Sequence, residues 1–179
     1  MKKKIMITGA TGNVGGETIK SLIEDGIDKS RIIPAVRNID RAKKEFGEGF
    51  DYRTIDFKKK ETYRGELENT DKVLLVRPPP ISNVRKYIFP FIDEIKDSGI
   101  DQIVFLSLQG VENNPLTPHY KIEKYIKKLG LPYTFLRPSF FMQNLTTTHL
   151  EEIRANNEIY VPAGKGNINY IDVRDIGEV

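Results

Sequence analysis

Three glycines spaced three apart, Gly9, Gly12 and Gly15, fall in the run Gly9-Ala10-Thr11-Gly12-Asn13-Val14-Gly15, directly after a short apolar stretch from Lys4 to Thr8. Beyond them Val14, Ile19, Leu22 and Ile23 recur as the stripe of an amphipathic helix. Strand, glycine turn and helix N-terminus in that order suit a pyrophosphate: glycines permit the tight turn, and backbone N–H groups at the positive end of the helix can approach the anion closely. Gly9, Thr11, Gly12, Asn13 and Val14 are therefore candidate nucleotide-binding residues. The competing reading is an ordinary strand-to-helix turn. A phosphate loop of the nucleotide-hydrolase type is excluded, because no Gly-Lys-Ser/Thr closes the loop.

The rest of the chain repeats the alternation. Strand candidates are Arg31 to Val36, Tyr52 to Phe57, Lys72 to Val76, Gln102 to Leu108 and Tyr133 to Leu136. Between them Ile88, Phe91, Ile92 and Ile95 keep a helical period before Gly99, and Ile122, Ile126 and Leu129 do so before Gly130. Continuous apolar strands are covered on both faces, and connections long enough for a helix imply parallel neighbours. The expected architecture is α/β: a doubly wound, mostly parallel Rossmann sheet with helices on both faces. Asp175 can cap a helix beginning at Ile176, but the sequence stops at Val179 after one turn, too little to stand alone. Residues 1–179 thus read as one nucleotide-binding domain, a fragment of a longer chain.

Composition narrows the partners. At 179 residues the chain suits one domain, and 39% apolar with 30% charged residues allows a packed core. The longest apolar runs, Val73 to Val76 and Ile103 to Leu106, are far below the roughly 18 residues of a membrane span. Without cysteine there is no disulfide framework or thiolate chemistry, and the cytoplasm is the expected compartment. The net charge is +3, and the lysine clusters at 2–4, 58–60 and 127–128 sit beside acids, so they read as solvated faces and not as a nucleic-acid stripe. His119 and His149 stand far apart without ligand-spaced partners, and no metal site is expected.

About 20 residues past the glycines, a fold that binds NAD usually supplies an acid for the ribose 2′-hydroxyl. This chain supplies Arg37, whose guanidinium suits a 2′-phosphate and favours NADP over NAD. Asp40 is a nearby acid that would favour NAD if it faced inward. Asp56, ending the third strand, is a candidate for the adenine amino group, and Arg77 with Pro78 leaves the fourth strand at the ligand-facing sheet edge.

Several segments together resemble a known family. Ile7-Thr8-Gly9-Ala10-Thr11-Gly12-Asn13-Val14-Gly15, Val104-Phe105-Leu106-Ser107, His119 with Glu123, and Tyr133-Thr134-Phe135-Leu136-Arg137-Pro138 followed by Phe141-Met142-Gln143-Asn144 are similar to the NmrA-like branch of atypical short-chain dehydrogenase/reductases. That branch holds NADPH-dependent quinone oxidoreductases, azoreductase-like and isoflavone-reductase-like enzymes, and redox-sensing regulators that bind the cofactor without reducing anything. Its members continue well past the segment resembled by Tyr170-Ile171-Asp172-Val173-Arg174-Asp175, so the resemblance implies that residues 1–179 are the NAD(P)-binding Rossmann domain of a longer chain whose C-terminal substrate lobe is truncated.

Ser107, Tyr120 and Lys124 match the spacing of the serine, Tyr-x-x-x-Lys arrangement of the larger superfamily, in which lysine lowers the tyrosine pKa. On a helix over residues 119–129, however, the stripe Ile122, Ile126, Leu129 turns Tyr120 and Lys124 toward water and leaves His119 at its edge. The resemblance implies His119 as proton donor or substrate hydrogen-bonder; the competing reading is a histidine satisfied near the helix start. Glu123 more often salt-bridges locally than serves a histidine at i, i+4. Gln143 and Asn144 resemble residues lining the nicotinamide or substrate side, or else form a polar helix start. Ser107 joins the candidate cofactor residues. The expectation is an NADPH-dependent reductase of a small electron-poor acceptor such as a quinone. Its alternatives are a non-catalytic NADP-binding sensor acting on a regulatory protein partner, and a sugar-nucleotide epimerase or reductase using Tyr120 and Lys124. Whether the chain forms a homo-oligomer is left open.

Overall fold

The computed structural model describes residues 3–161, 164 and 166–179, so Lys2 of the first lysine cluster lies outside the described residues. The N-terminal half runs β1 (Ile5–Thr8), α1 (Asn13–Glu24), β2 (Ile32–Val36), α2 (Ile39–Phe46), β3 (Arg53–Thr54), β4 (Lys72–Leu75), α3 (Val84–Tyr87) and α4 (Phe89–Asp97). It continues through β5 (Gln102–Leu106), α5 (Pro118–Leu129), β6 (Tyr133–Leu136), β7 (Phe140–Phe141), α6 (Leu150–Asn156), β8 (Tyr170–Ile171) and α7 (Val173–Glu178). Six strands pair in parallel in the order β3-β2-β1-β4-β5-β6, and β7 and β8 form a separate parallel pair. This is the doubly wound Rossmann sheet that the alternation of elements predicts.

Alternate strand residues feed opposite cores, as the two-residue period requires. Met6, Ile33, Val73 and Leu75 pack with Phe91, Ile92, Ile122 and Ile126 of α4 and α5 on one face. Ile7, Ile32, Val36 and Leu74 pack with Ile19 of α1 and Ala42 of α2 on the other. A third, smaller cluster joins Val14 and Leu106 to Val173 and Ile176 of α7. There α7 lies almost backbone to backbone on α1: a Cβ on Gly177 would stand 2.9 Å from the carbonyl carbon of Glu17.

The first and second strands begin one residue late, at Ile5 and Ile32, and the fifth ends at Leu106, not Leu108. Three further boundaries depart from expectation, each for a local reason. The third strand pairs only at Arg53 and Thr54, not over 52–57, because it is the sheet edge with a partner on one side alone, and Asp56 opens a turn whose backbone N–H donates to Thr62 Oγ1 (2.9 Å). The fourth strand stops at Leu75, where the Val76 N–H donates to Thr8 Oγ1 (2.8 Å) in place of a ladder carbonyl. The last helix begins at Val173, capped by Asp172, and not at Ile176 capped by Asp175. It does not stand alone, because the Gln143 side chain accepts from the Val173 N–H (3.1 Å) and α1 packs against it. The helix expected over 119–129 spans Pro118–Leu129, with Thr117 as its N-cap and Gly130 in the left-handed region at its end.

Candidate functional site

The glycine turn sits at the C-terminal edge of the sheet, between β1 and α1. Gly9 has φ +64°, a conformation glycine adopts without strain, and its carbonyl accepts from the Gly12 N–H at 2.9 Å. A Cβ on Gly15 would lie 2.5 Å from that same carbonyl oxygen and 2.9 Å from Ala10 Cα, so only glycine lets the helix start this close to the turn. Gly12 caps α1 with no side-chain hydrogen bond, and the first turn carries no acid. The N–H groups of the first turn therefore face outward without an intrahelical acceptor, the arrangement that receives a phosphate. Thr11 is half-buried and Asn13 exposed, whereas the Val14 side chain is buried in the third core cluster, leaving only its backbone for a ligand.

One strand outward, Arg37 is exposed at the tip of β2, and neither its guanidinium nor that of Arg41, in the first turn of α2, has a partner among the described residues. Asn38 caps α2 by accepting from the Arg41 N–H (2.9 Å), and Asp40 is exposed beside them. Sequence reasoning missed Arg41, although the i, i+4 spacing from Arg37 was there to read. Asp56 accepts from the Lys58 N–H through Oδ1 (3.0 Å), which makes it a turn residue with its second oxygen unbonded among the described residues.

In the other direction, Arg77 leaves β4 and folds back on its own loop. Its Nη1 donates to the carbonyls of Pro78 (3.0 Å), Pro79 (3.0 Å) and Ile81 (2.8 Å), while Nε is buried without a partner among the described residues. Burial pulls the guanidinium's pKa below its usual value. His119, half-buried at the start of α5, lies against Phe105 with ring centroids 5.9 Å apart. Burial, reinforced by the positive charge of Arg77 and only partly opposed by Glu123, pulls its pKa down to about 4. The imidazole is consequently neutral at pH 7, able to offer or accept a hydrogen bond but carrying no proton to give up as an imidazolium.

At the end of β5 the Ser107 hydroxyl donates to Glu123 Oε1 at 2.6 Å, and Arg137 holds the same carboxylate through Nε to Oε1 (2.9 Å) and Nη2 to Oε2 (2.6 Å). Burial alone would push the Glu123 pKa up, but hydrogen bonds from Arg137 and Ser107 outweigh it and keep the carboxyl below its ordinary range. Glu123 thus serves Ser107 and Arg137, and no bond joins it to His119. Tyr120 and Lys124 border a different pocket of about 180 Å³ with Glu112, Glu123, Lys127 and Arg137, and Ser107 is bonded to neither Tyr120 nor Lys124.

Beyond β5 and β6 opens a cleft of about 530 Å³ lined by Leu108, Gln109, Pro138, Phe140, Phe141, Asn144 and the segment 167–169, with no charged residue among the described lining. Asn144 is in it. Gln143 is not: it holds the start of α7 by donating to Asp172 Oδ1 (2.8 Å) and accepting from Val173. His149 contacts Glu152 through Nδ1 (3.2 Å), and no group of three or more metal-ligating side chains occurs among the described residues. Nor is any described helix long and apolar enough to cross a membrane.

A glycine turn under an open helix N-terminus, placed on a parallel doubly wound sheet beside a cleft, defines a Rossmann-type nucleotide-binding protein. The chain belongs to the NmrA-like family, whose model matches residues 1–179. It is 33% identical over 178 residues to the Prestalk A differentiation protein A of Dictyostelium discoideum, covering 99% of this chain and 58% of that one. In structure it resembles the triphenylmethane reductase of Citrobacter sp. complexed with NADP(H), with a TM-score of 0.84, 26% identity, and coverage of 98% of this chain and 63% of the other. It also resembles an NADPH-dependent quinone oxidoreductase from Escherichia coli complexed with NADPH, with a TM-score of 0.84, 26% identity, and coverage of 97% and 62%. The chain thus spans about 60% of the length of these relatives.

Proposed function

We propose that this chain is the cofactor-binding part of an NADPH-dependent reductase acting on a small, uncharged, electron-poor acceptor such as a quinone. The observation that carries this is the sharing of one sheet edge by an anion-ready glycine turn and an aromatic-walled cleft whose described lining is uncharged. Gly9, Gly12 and the backbone of Asn13 and Val14 would hold the pyrophosphate, with Thr11 flanking it. Arg37 and Arg41 would face the 2′-phosphate, and Asp56 and Pro78 would border the adenosine. NADPH, when bound, supplies the hydride. The chain supplies orientation and exclusion of water, and neutral His119 offers a hydrogen bond at the acceptor. Similarity to a dye reductase and a quinone oxidoreductase, both complexed with this cofactor, supports the same reading.

The epimerase alternative has less support. Tyr120 and Lys124 share no bond with Ser107, and the described lining of the cleft holds no cation for a sugar nucleotide's diphosphate. Titration calorimetry of NADPH and NADH tests the cofactor assignment. Wild type should prefer NADPH, and Arg37→Ala should weaken NADPH by roughly tenfold or more with little effect on NADH, the worth of a charge-assisted hydrogen bond. Equal wild-type affinities, or equal losses on mutation, would sink it. Tight NADPH binding without oxidation by any member of a quinone panel would favour a sensor acting through a protein partner.

A further inference from the structure

A serine hydroxyl carries one proton, and that of Ser107 is committed. It points at Glu123 over 2.6 Å, inside a site where Ser107 is 5% and Glu123 4% exposed. The carboxylate cannot turn away, because Arg137 grips both of its oxygens and is itself held by Glu112 at 3.3 Å. With its proton spent on Glu123, Ser107 has only lone pairs left for anything that arrives at the end of β5. A carbonyl or phosphate oxygen there would find no donor in the Ser107 hydroxyl, whereas an N–H would find an acceptor.

Strand order says which end of a dinucleotide comes there. Arg37 ends β2, the glycine turn follows β1, and Ser107 follows β5, in a sheet ordered β2-β1-β4-β5. Three inter-strand steps of about 4.8 Å separate the arginine from the serine, roughly 14 Å along the sheet edge. With the 2′-phosphate at β2 and the pyrophosphate at β1, the β5 end is left for the nicotinamide. The N–H donor on that ring is its carboxamide. We infer that Ser107 accepts a hydrogen bond from the nicotinamide carboxamide, and that Glu123, locked by Arg137, is the positioning residue that fixes the hydroxyl in this acceptor-only state. The inference rests on the NADPH reading above and gives Ser107 a cofactor role in place of a part in the serine, Tyr-x-x-x-Lys arrangement.

The test compares NADP⁺ with acetylpyridine adenine dinucleotide phosphate, whose acetyl group keeps the carbonyl and lacks the N–H. Calorimetry on wild type should show NADP⁺ binding roughly threefold to tenfold tighter, the worth of one neutral hydrogen bond, and Ser107→Ala should bring the two within about twofold. The double variant Glu123→Leu with Arg137→Leu removes both charges together, so neither is stranded; it frees the hydroxyl and should also lower the ratio. Should that variant fail to fold, proton NMR of wild type decides: the Ser107 hydroxyl proton should exchange slowly both with and without NADP⁺. Its loss on NADP⁺ binding, a ratio unchanged in Ser107→Ala, or a double variant keeping the full wild-type ratio would overturn the inference. Equal wild-type binding of both dinucleotides overturns this inference alone, while binding of neither overturns the cofactor reading with it.

Discussion

Adding one methyl group at each of two neighbouring glycines in α1 should move stability in opposite directions. Alanine in place of glycine in a helix gains up to about 1 kcal/mol of propensity. At residue 16 nothing opposes the gain, since a Cβ there would meet Ala10 O at 3.5 Å and Phe46 Cζ at 4.0 Å, ordinary contact distances. At residue 15 the same Cβ would lie 2.5 Å from Gly9 O and 2.9 Å from Ala10 Cα, both backbone atoms of the turn. Overpacking of that kind costs about 1 to 3 kcal/mol, and with rigid neighbours the upper figure applies, so Gly15→Ala should lose about 2 kcal/mol net. For a chain of this size each kcal/mol moves Tm by about 2 to 4 °C. Thermal unfolding followed by circular dichroism should therefore place Gly16→Ala about 2 to 4 °C above wild type and Gly15→Ala about 4 to 8 °C below it. NADPH titration should show weakened binding for Gly15→Ala, whose turn has been pushed open, and near-normal binding for Gly16→Ala. Shifts of the same sign, or a Gly15→Ala variant as stable as wild type, would refute the claim that the turn and helix are in closest contact at residue 15.

Two further outcomes follow from burial. Because the His119 pKa of about 4 lies below its unfolded value near 6.5, the unfolded chain takes up the proton first. The His119 contribution to stability should be unaffected above about pH 6.5, fall between about 6.5 and 4, and level off below. His119→Phe should flatten that fall in urea titrations, and an NMR midpoint near 6.5 for the His119 ring would contradict the account. Phe91, fully buried and edge-on to Phe57 (5.1 Å) and Tyr63 (5.3 Å), anchors the α4 face of the sheet. Phe91→Ala should lose about 3 to 5 kcal/mol in urea unfolding, and a loss under 1 kcal/mol would count against that packing.

Much of the sheet was legible because its inner strands are continuous apolar runs, and the sixth, Tyr133 to Leu136, matches residue for residue. The third was over-extended because a buried strand and the apolar approach to a turn look alike in sequence, and only edge position separates them. Asp172 and Asp175 are equally good caps on paper; the choice falls to Asp172 because Gln143, some 30 residues earlier, bonds both it and the Val173 N–H. The same distinction divides the site. The glycine turn is local, so its spacing announces it. The Ser107, Glu123, Arg137 network spans a strand end, a helix and a loop; sequence favoured a salt bridge for Glu123 over service to His119, and Glu123 makes one, but sequence did not name Arg137 or Ser107 as its partners. The cleft depends on β7 and β8, two residues each, too short to leave any periodicity to detect.

The contact between α7 and α1 also bears on how the protein is made. Val14 and Glu17 leave the ribosome early, while Val173, Ile176 and Gly177, which cover them, follow roughly 160 residues later. At the usual ~5 to 20 residues per second that is a delay of about 8 to 30 s. Throughout this interval the strand β1 and its helix can form, but the part of the glycine turn's apolar flank that α7 covers stays bare. The first-made part of the nucleotide site therefore acquires this part of its floor late, and a nascent chain stalled before Val173 would present that flank as an adhesive surface.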